Sequence, residues 1–206
     1  MPPVSIPDTP SQSHARAIMG KDFLGLQEVH AGFGITYTAE QRWQLTTIPF
    51  TEATLRERKN THVLVAGAPL SVNEIRKLAA DYFDNSSWYN QEPFANHRKA
   101  SVRWHLLRKE PVPDSCNRTY DDQVSLLQNE EVPYACEVSY MVILYWLIHR
   151  WRLLPNVYVR CRDEDSDSDH VDVGHFCSDG FIVGNYWNDR CNSCIGLASS
   201  VLLPNS

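Results

Sequence analysis

Val171-Asp-Val-Gly-His-Phe-Cys-Ser-Asp-Gly-Phe181 reads as one strand, a turn and the start of a second strand. Val171 and Val173 point to one side and Asp172 and Gly174 to the other, which is the two-residue period of a sheet with one covered face. Phe176 falls off the valine face, so a bulge or strand end is expected near Gly174. Short segments of the same character lie on either side, and strands are expected over 157–161, 171–177, 181–184 and 195–202. Asp, Ser, Asn, Cys, His, Arg and Tyr dominate the connections between them. A small antiparallel sheet with long polar connections accounts for this pattern.

Upstream the character is different. Residues 135–151, bounded by Pro133 and Pro155, form the strongest expected helix, apolar nearly all round and therefore covered on most sides. Its apolar run over 138–148 would span about 16 Å of helix, against roughly 30 Å of bilayer hydrocarbon, so it is read as a buried helix and not a membrane span. A strand over 101–109 places Val102, Trp104 and Leu106 on one face with a polar outer side, and Pro111 and Pro113 then break the chain into a loop before a helix over 121–128. Further back come a buried strand over 62–66, a helix over 51–58, and a capping box at Ser71-Val-Asn-Glu74 that starts a helix running to about Tyr82. An amphipathic helix is expected over 17–30, ended by Gly32 and Gly34. Residues 1–14, rich in Pro, Ser and Thr, read as a flexible leader. The expected organisation is thus a leader, an N-terminal α/β portion over 15–100 packed on the main domain, and that domain over 101–206.

Of the 206 residues, 43% are hydrophobic and 21% charged, the composition of a globular chain that builds a real core. A formal charge of -6, with no lysine after Lys109, argues against a nucleic-acid backbone as partner, because counterion release needs clustered Lys and Arg. The N-terminus lacks the basic start and apolar run of a secretory signal, so a cytoplasmic location is expected. Six cysteines in that setting read as reduced thiols and not as a disulfide framework.

The segments 103–115, Tyr120-Asp-Asp-Gln-Val124, 171–181, Trp187-Asn-Asp-Arg190 and Ile195-Gly-Leu-Ala-Ser-Ser200 resemble variable proteins of diversity-generating retroelements. The resemblance covers roughly 101–200. It implies an α+β fold of the C-type lectin-like (formylglycine-generating-enzyme) type, with a helical N-terminal portion and a mostly antiparallel sheet. It also implies a non-enzymatic protein, without cofactor, that binds a protein or other macromolecular ligand. In that family a reverse transcriptase copies a template repeat with errors at adenines, and the copy replaces the 3′ end of the gene. Asparagine codons mutated in this way never reach Lys, Gln, Glu, Met or Trp. Within a variable region of about 158–200 only Glu164 and Trp187 break that rule, and they are expected to be fixed. The implied variable, outward-facing positions are Arg160, Arg162, Asp172, His175, Cys177, Ile182, Gly184, Asn185, Tyr186, Asp189, Cys191, Asn192 and Cys194. Val171, Val173, Gly174, Phe181, Trp187, Gly196 and Leu197 would support them.

Other constellations compete with this reading. Asp163, Asp165 and Asp167 match the first ligands of a calcium loop, but Ser168 stands at the turn glycine and Gly174 at the bidentate glutamate, so a solvated acidic turn is expected. Cys191-Asn-Ser-Cys194 has the spacing of half a zinc knuckle, which His175, Cys177 and Cys161 could complete. The alternative function is therefore a small zinc-stabilised domain or enzyme using His175, Cys177, Cys191 and Cys194. No phosphate loop, dinucleotide fingerprint or nucleophile elbow is present, and Trp104, Trp146 and Trp151 read as core.

Overall fold

The computed structural model describes residues 6–203. Thr9 opens the first helix, α1 (Pro10–Met19), through a capping box with Gln12, whose buried side chain donates to the Leu45 carbonyl (2.8 Å). Residues 10–14, expected to belong to a flexible leader, are therefore helical, and residues 1–5 of that leader lie outside the described ones. The single helix expected over 17–30 is two. Gly20 at φ 59 ends α1, and the chain passes through strand β1 (Phe23–Leu24) before α2 (Leu26–Phe33), which ends at Gly34 in the left-handed region. Pairing of β1 with a neighbouring strand outweighs local helix periodicity there.

Short helices α3 (Ala39–Gln44) and α4 (Glu52–Arg58) lead into strand β2 (His62–Ala66), buried throughout. Helix α5 (Val72–Leu78) starts at the Ser71–Glu74 capping box and stops short of Tyr82, where Ala79 leaves the helical region. After α6 (Pro93–Asn96) comes β3 (Trp104–Arg108). His105 and Leu107 are as buried as Trp104 and Leu106, so the expected polar outer side of this strand is covered. Helix α7 (Tyr120–Val124) and strand β4 (Glu130–Glu131) precede α8 (Ala135–His149).

Helix α8 reaches both sheets. Its Tyr140 hydroxyl donates to the Ala66 carbonyl of β2 (2.9 Å), and its N-terminal Ala135 N–H donates to the Asp163 carboxylate on β5 (Tyr158–Glu164) (2.6 Å). It ends two residues before the expected point because Arg150 turns left-handed at φ 55. Trp151, read as core, lies past that turn and is 66% exposed, whereas Trp104 is buried with its indole N–H on the Leu45 carbonyl (2.9 Å).

The remaining strands are β6 (His170–Cys177), β7 (Gly180–Tyr186), β8 (Ile195–Leu197) and β9 (Ser200–Val201). They complete two mostly antiparallel sheets, ordered β1-β2-β3-β9-β4 and β7-β6-β5-β8, with β1–β2 and β5–β8 the parallel pairs, so the fold is α+β. The strand expected over 195–202 splits between the sheets: Ala198 still donates to Arg160 on β5 (3.0 Å), while the Ser199 carbonyl already accepts from Arg108 on β3 (3.0 Å). The boundary expected between residues 100 and 101 falls within the first sheet, because β2 and β3 pair along their full length. The main hydrophobic core runs from Ala15 to Ala198, beside a small separate cluster of Val112, Val132 and Leu197.

The second sheet is fastened to the N-terminal half at Gly180. There φ is 114, Phe83 bridges to Phe181, the Asp84 N–H donates to the Phe181 carbonyl (3.1 Å), and a Cβ would lie 2.5 Å from the Asp84 nitrogen. Gly180→Ala is expected to lower stability by about 1–3 kcal/mol through combined backbone strain and overlap, read from the midpoint of a urea unfolding curve.

Candidate functional site

The candidate site is the outer face of the second sheet together with residues 187–194, the connection between β7 and β8. Val171, Val173, Phe181 and Val183 turn inward into the core, and the register shift between Gly174 and Cys177 is the expected bulge. On the other face Arg160, Asp172 and Gly184 stand in one cross-strand row.

That face is not open along its length. Arg160, expected to point outward into solvent, is fully buried because residues 187–194 fold back over it from one side and residues 115–123 from the other. Its Nη1 donates to the Arg118 carbonyl (3.1 Å) and Gln123 Oε1 (3.2 Å), and its Nη2 to the carbonyls of Trp187 (2.8 Å) and Arg190 (3.0 Å). Gln123, itself fully buried, donates onward to the carbonyls of Ser115 (2.8 Å) and Ile195 (3.0 Å). Asp172 is a second correction. It is 3% exposed, and its carboxylate has no hydrogen bond among the described residues. Burial pushes its pKa up to about 7, with the nearby Arg160 charge opposing the shift.

Five carbonyls along the 187–194 segment accept hydrogen bonds from groups outside it. Besides Trp187 and Arg190, the Asn188 carbonyl accepts from the Tyr120 N–H (3.0 Å), that of Asn192 from the Asn117 N–H (2.9 Å), and that of Cys194 from the Tyr158 N–H (2.8 Å). The side chains between these anchors project outward. Asp189, Arg190, Cys191, Ser193 and Cys194 are exposed, as is Asn185 at the end of β7. Trp187 reverses its expected supporting role: its carbonyl is held by Arg160 while its ring is 61% exposed.

The supporting side chain that sequence reading missed is Asn188. Its Oδ1 accepts from both the backbone N–H (2.9 Å) and Nδ1 (2.7 Å) of His170, and its Nδ2 donates to the Ser168 carbonyl (2.8 Å). The His170 ring in turn stacks on Tyr120 at 3.4 Å between centroids. Only the position of Asn188 between Trp187 and Asp189 could have flagged it. Elsewhere on the face Arg162 is exposed beside Tyr134, while Ile182, Gly184, Tyr186 and Asn192 are half-buried. His175, half-buried at φ 43, stacks on Tyr158, and Cys177 opens the β6–β7 turn.

The rival constellations are not assembled. His175, Cys177, Cys191 and Cys194 form no group of three or more metal-ligating side chains placed to hold an ion, and neither does any other set among the described residues. The calcium-like spacing also disperses, since Asp163 turns inward onto Ala135 while Asp165 Oδ1 accepts from the N–H groups of Asp167 (2.9 Å) and Asp169 (3.0 Å) in a local turn. No helix among the described residues is long and apolar enough to cross a membrane. Comparison with models of known protein families, with curated proteins and with solved structures finds no match.

Two expectations follow from the buried row. Arg160→Met keeps the bulk but orphans several carbonyls and leaves Asp172 without its counter-charge. A loss of about 3–5 kcal/mol is expected in denaturant unfolding, with early protease cleavage within 187–194. Asp172 titrates near 7 when folded and near 3.8 when unfolded, so the folded form holds its proton more tightly and stability falls as pH rises between those values. Asp172→Asn removes that slope, and the variant should exceed the parent by roughly 3–4 kcal/mol at pH 8 relative to their difference at pH 4.

Proposed function

We propose that the protein is a non-enzymatic binding protein of the diversity-generating retroelement type, with the outer face of β5–β7 and residues 187–194 as its contact surface. The observation that carries this reading is the manner in which 187–194 is anchored. Its outside contacts run largely through main-chain carbonyls, and a carbonyl is the same acceptor whatever side chain its residue carries. Side chains at Asp189, Cys191 and Cys194 can be exchanged without removing an anchor. The Asn188 side chain, which does hold the loop, is absent from the implied variable set, and Trp187 cannot arise from an asparagine codon.

A segment held in this way suits recognition of a macromolecular ligand. Ordering the contact residues before the partner arrives reduces the entropy lost on binding, and exposed Trp, Arg and Asn side chains supply contact area and adaptable hydrogen bonds. The burial of Arg160 and Asp172 restricts the contact set to Arg162, His175, Cys177, Ile182, Gly184, Asn185, Tyr186, Asp189, Cys191, Asn192 and Cys194, with Trp187 as a fixed aromatic contact among them. The C-type lectin-like architecture belongs to the same proposal and rests on the resemblance of residues 101–200.

Sequencing the DNA that flanks the gene tests the reading. The expected finding is a near-copy of the codons for 158–200 beside a reverse-transcriptase gene, differing chiefly where the copy carries adenine. A flanking region with neither feature overturns the retroelement assignment. At the protein level, Asp189→Ala, Asn185→Ala and Trp187→Ala should each change unfolding free energy by no more than about 0.5 kcal/mol.

A further inference from the structure

Where the chain leaves α8 and folds back past the end of β3, it encloses a cleft of about 540 Å³, within the roughly 300–1,000 Å³ of small-molecule sites. Lys21, Arg108, Lys109 and Arg152 line it, against the single lining carboxylate of Glu110. Two of these cations are already used. Lys109 Nζ donates to the buried Asp22 carboxylate (2.8 Å), which also accepts from the Tyr145 hydroxyl (2.8 Å), and Arg108 pairs with Glu130 (3.2 Å).

The other two are not. Lys21 and Arg152 have no carboxylate partner among the described residues. Arg152 is held in place by aromatic rings instead, its guanidinium carbon 4.7 Å from the centroid of Trp146 and 5.3 Å from that of Phe176, and its buried Nε has no acceptor. Leu153, Leu154 and Pro111 give the cleft apolar wall, and the 66% exposed Trp151 also lines it. A concave, cation-rich site on a chain of net charge -6 concentrates anions against the prevailing sign of the molecule.

We propose that this cleft binds a small organic anion, a carboxylate or phosphate carried on a flat apolar body. The anionic group pairs with Lys21 and Arg152, and the body lies against Trp151 and the leucine wall. Each half of the ligand answers a separate feature: two cations lacking carboxylate partners, and a large indole left in water. The site shares no residue with the contact surface proposed above and does not depend on that reading.

Isothermal titration of the full chain with benzoate and phenyl phosphate tests this, with inorganic phosphate and benzyl alcohol as half-ligands. Saturable one-site binding is expected for at least one aryl anion, and the stronger of the two identifies the preferred head group. Inorganic phosphate and benzyl alcohol should each bind at least about tenfold more weakly. Lys21→Ala and Trp151→Ala should each weaken aryl-anion binding about tenfold, or about 1.4 kcal/mol, with unchanged thermal melting since both side chains are exposed. Absence of saturable heat with both aryl anions overturns the proposal, as does an affinity that neither substitution alters. Benzyl alcohol binding as tightly as the aryl anions overturns it as well, because the cations would then contribute nothing.

Discussion

A guanidinium taken wholly out of water is the constraint around which the C-terminal half is arranged. Burying such a charge costs several kcal/mol unless hydrogen bonds replace those of water. For Arg160 the replacements come from two stretches far apart in sequence: the Arg118 carbonyl and Gln123 upstream, and the carbonyls of Trp187 and Arg190 downstream. None of these segments has regular secondary structure to hold it there alone, apart from the five-residue helix α7 that carries Gln123. The charge and its acceptors fix one another, and hydrogen bonds tie the strand, the short helix and the 187–194 connection together.

The same arrangement separates two kinds of position that are interleaved in the chain. Between Trp187 and Cys194, what the fold requires resides in main-chain oxygens, in the Asn188 side chain and in the half-buried Asn192, whose Oδ1 accepts from the Cys194 N–H, while Trp187, Asp189, Arg190, Cys191, Ser193 and Cys194 face solvent. On β6 the division is less clean. Asp172 occupies an outward position of the pleat and is nonetheless roofed over, so its carboxyl group is held in a poorly solvated place beside Arg160. A carboxylate there works against folding above neutral pH, which marks the residue as tolerated by the fold more than demanded by it.

Sequence reading recovered what short-range physics determines. The strand over His62–Ala66, the Ser71–Glu74 cap, the start of helix α8 and the inward valines of β6 depend on nearest neighbours along the chain, and all stand where their patterns place them. The capping box of α1 was equally local, Thr9 with Gln12, but the prolines and serines around it resemble a leader more than a helix. Features that depend on distant cover were not legible. Arg160 and Asp172 alternate correctly for an outer face, and it is residues some forty positions upstream and thirty downstream that close over Arg160. Trp104 and Trp151 have similarly apolar neighbours in sequence, yet one sits in a central strand and the other beyond the left-handed turn at Arg150.

Strand β9 lies between β3 and β4, although it is the last strand of the described chain. During synthesis the first sheet therefore stays split, with β4 unpaired, until Ser200 and Val201 have been translated and have threaded into the gap. A chain that stops short of Ser200 lacks the strand that joins β4 to β3. The last described strand thus decides whether the first sheet is one sheet or two.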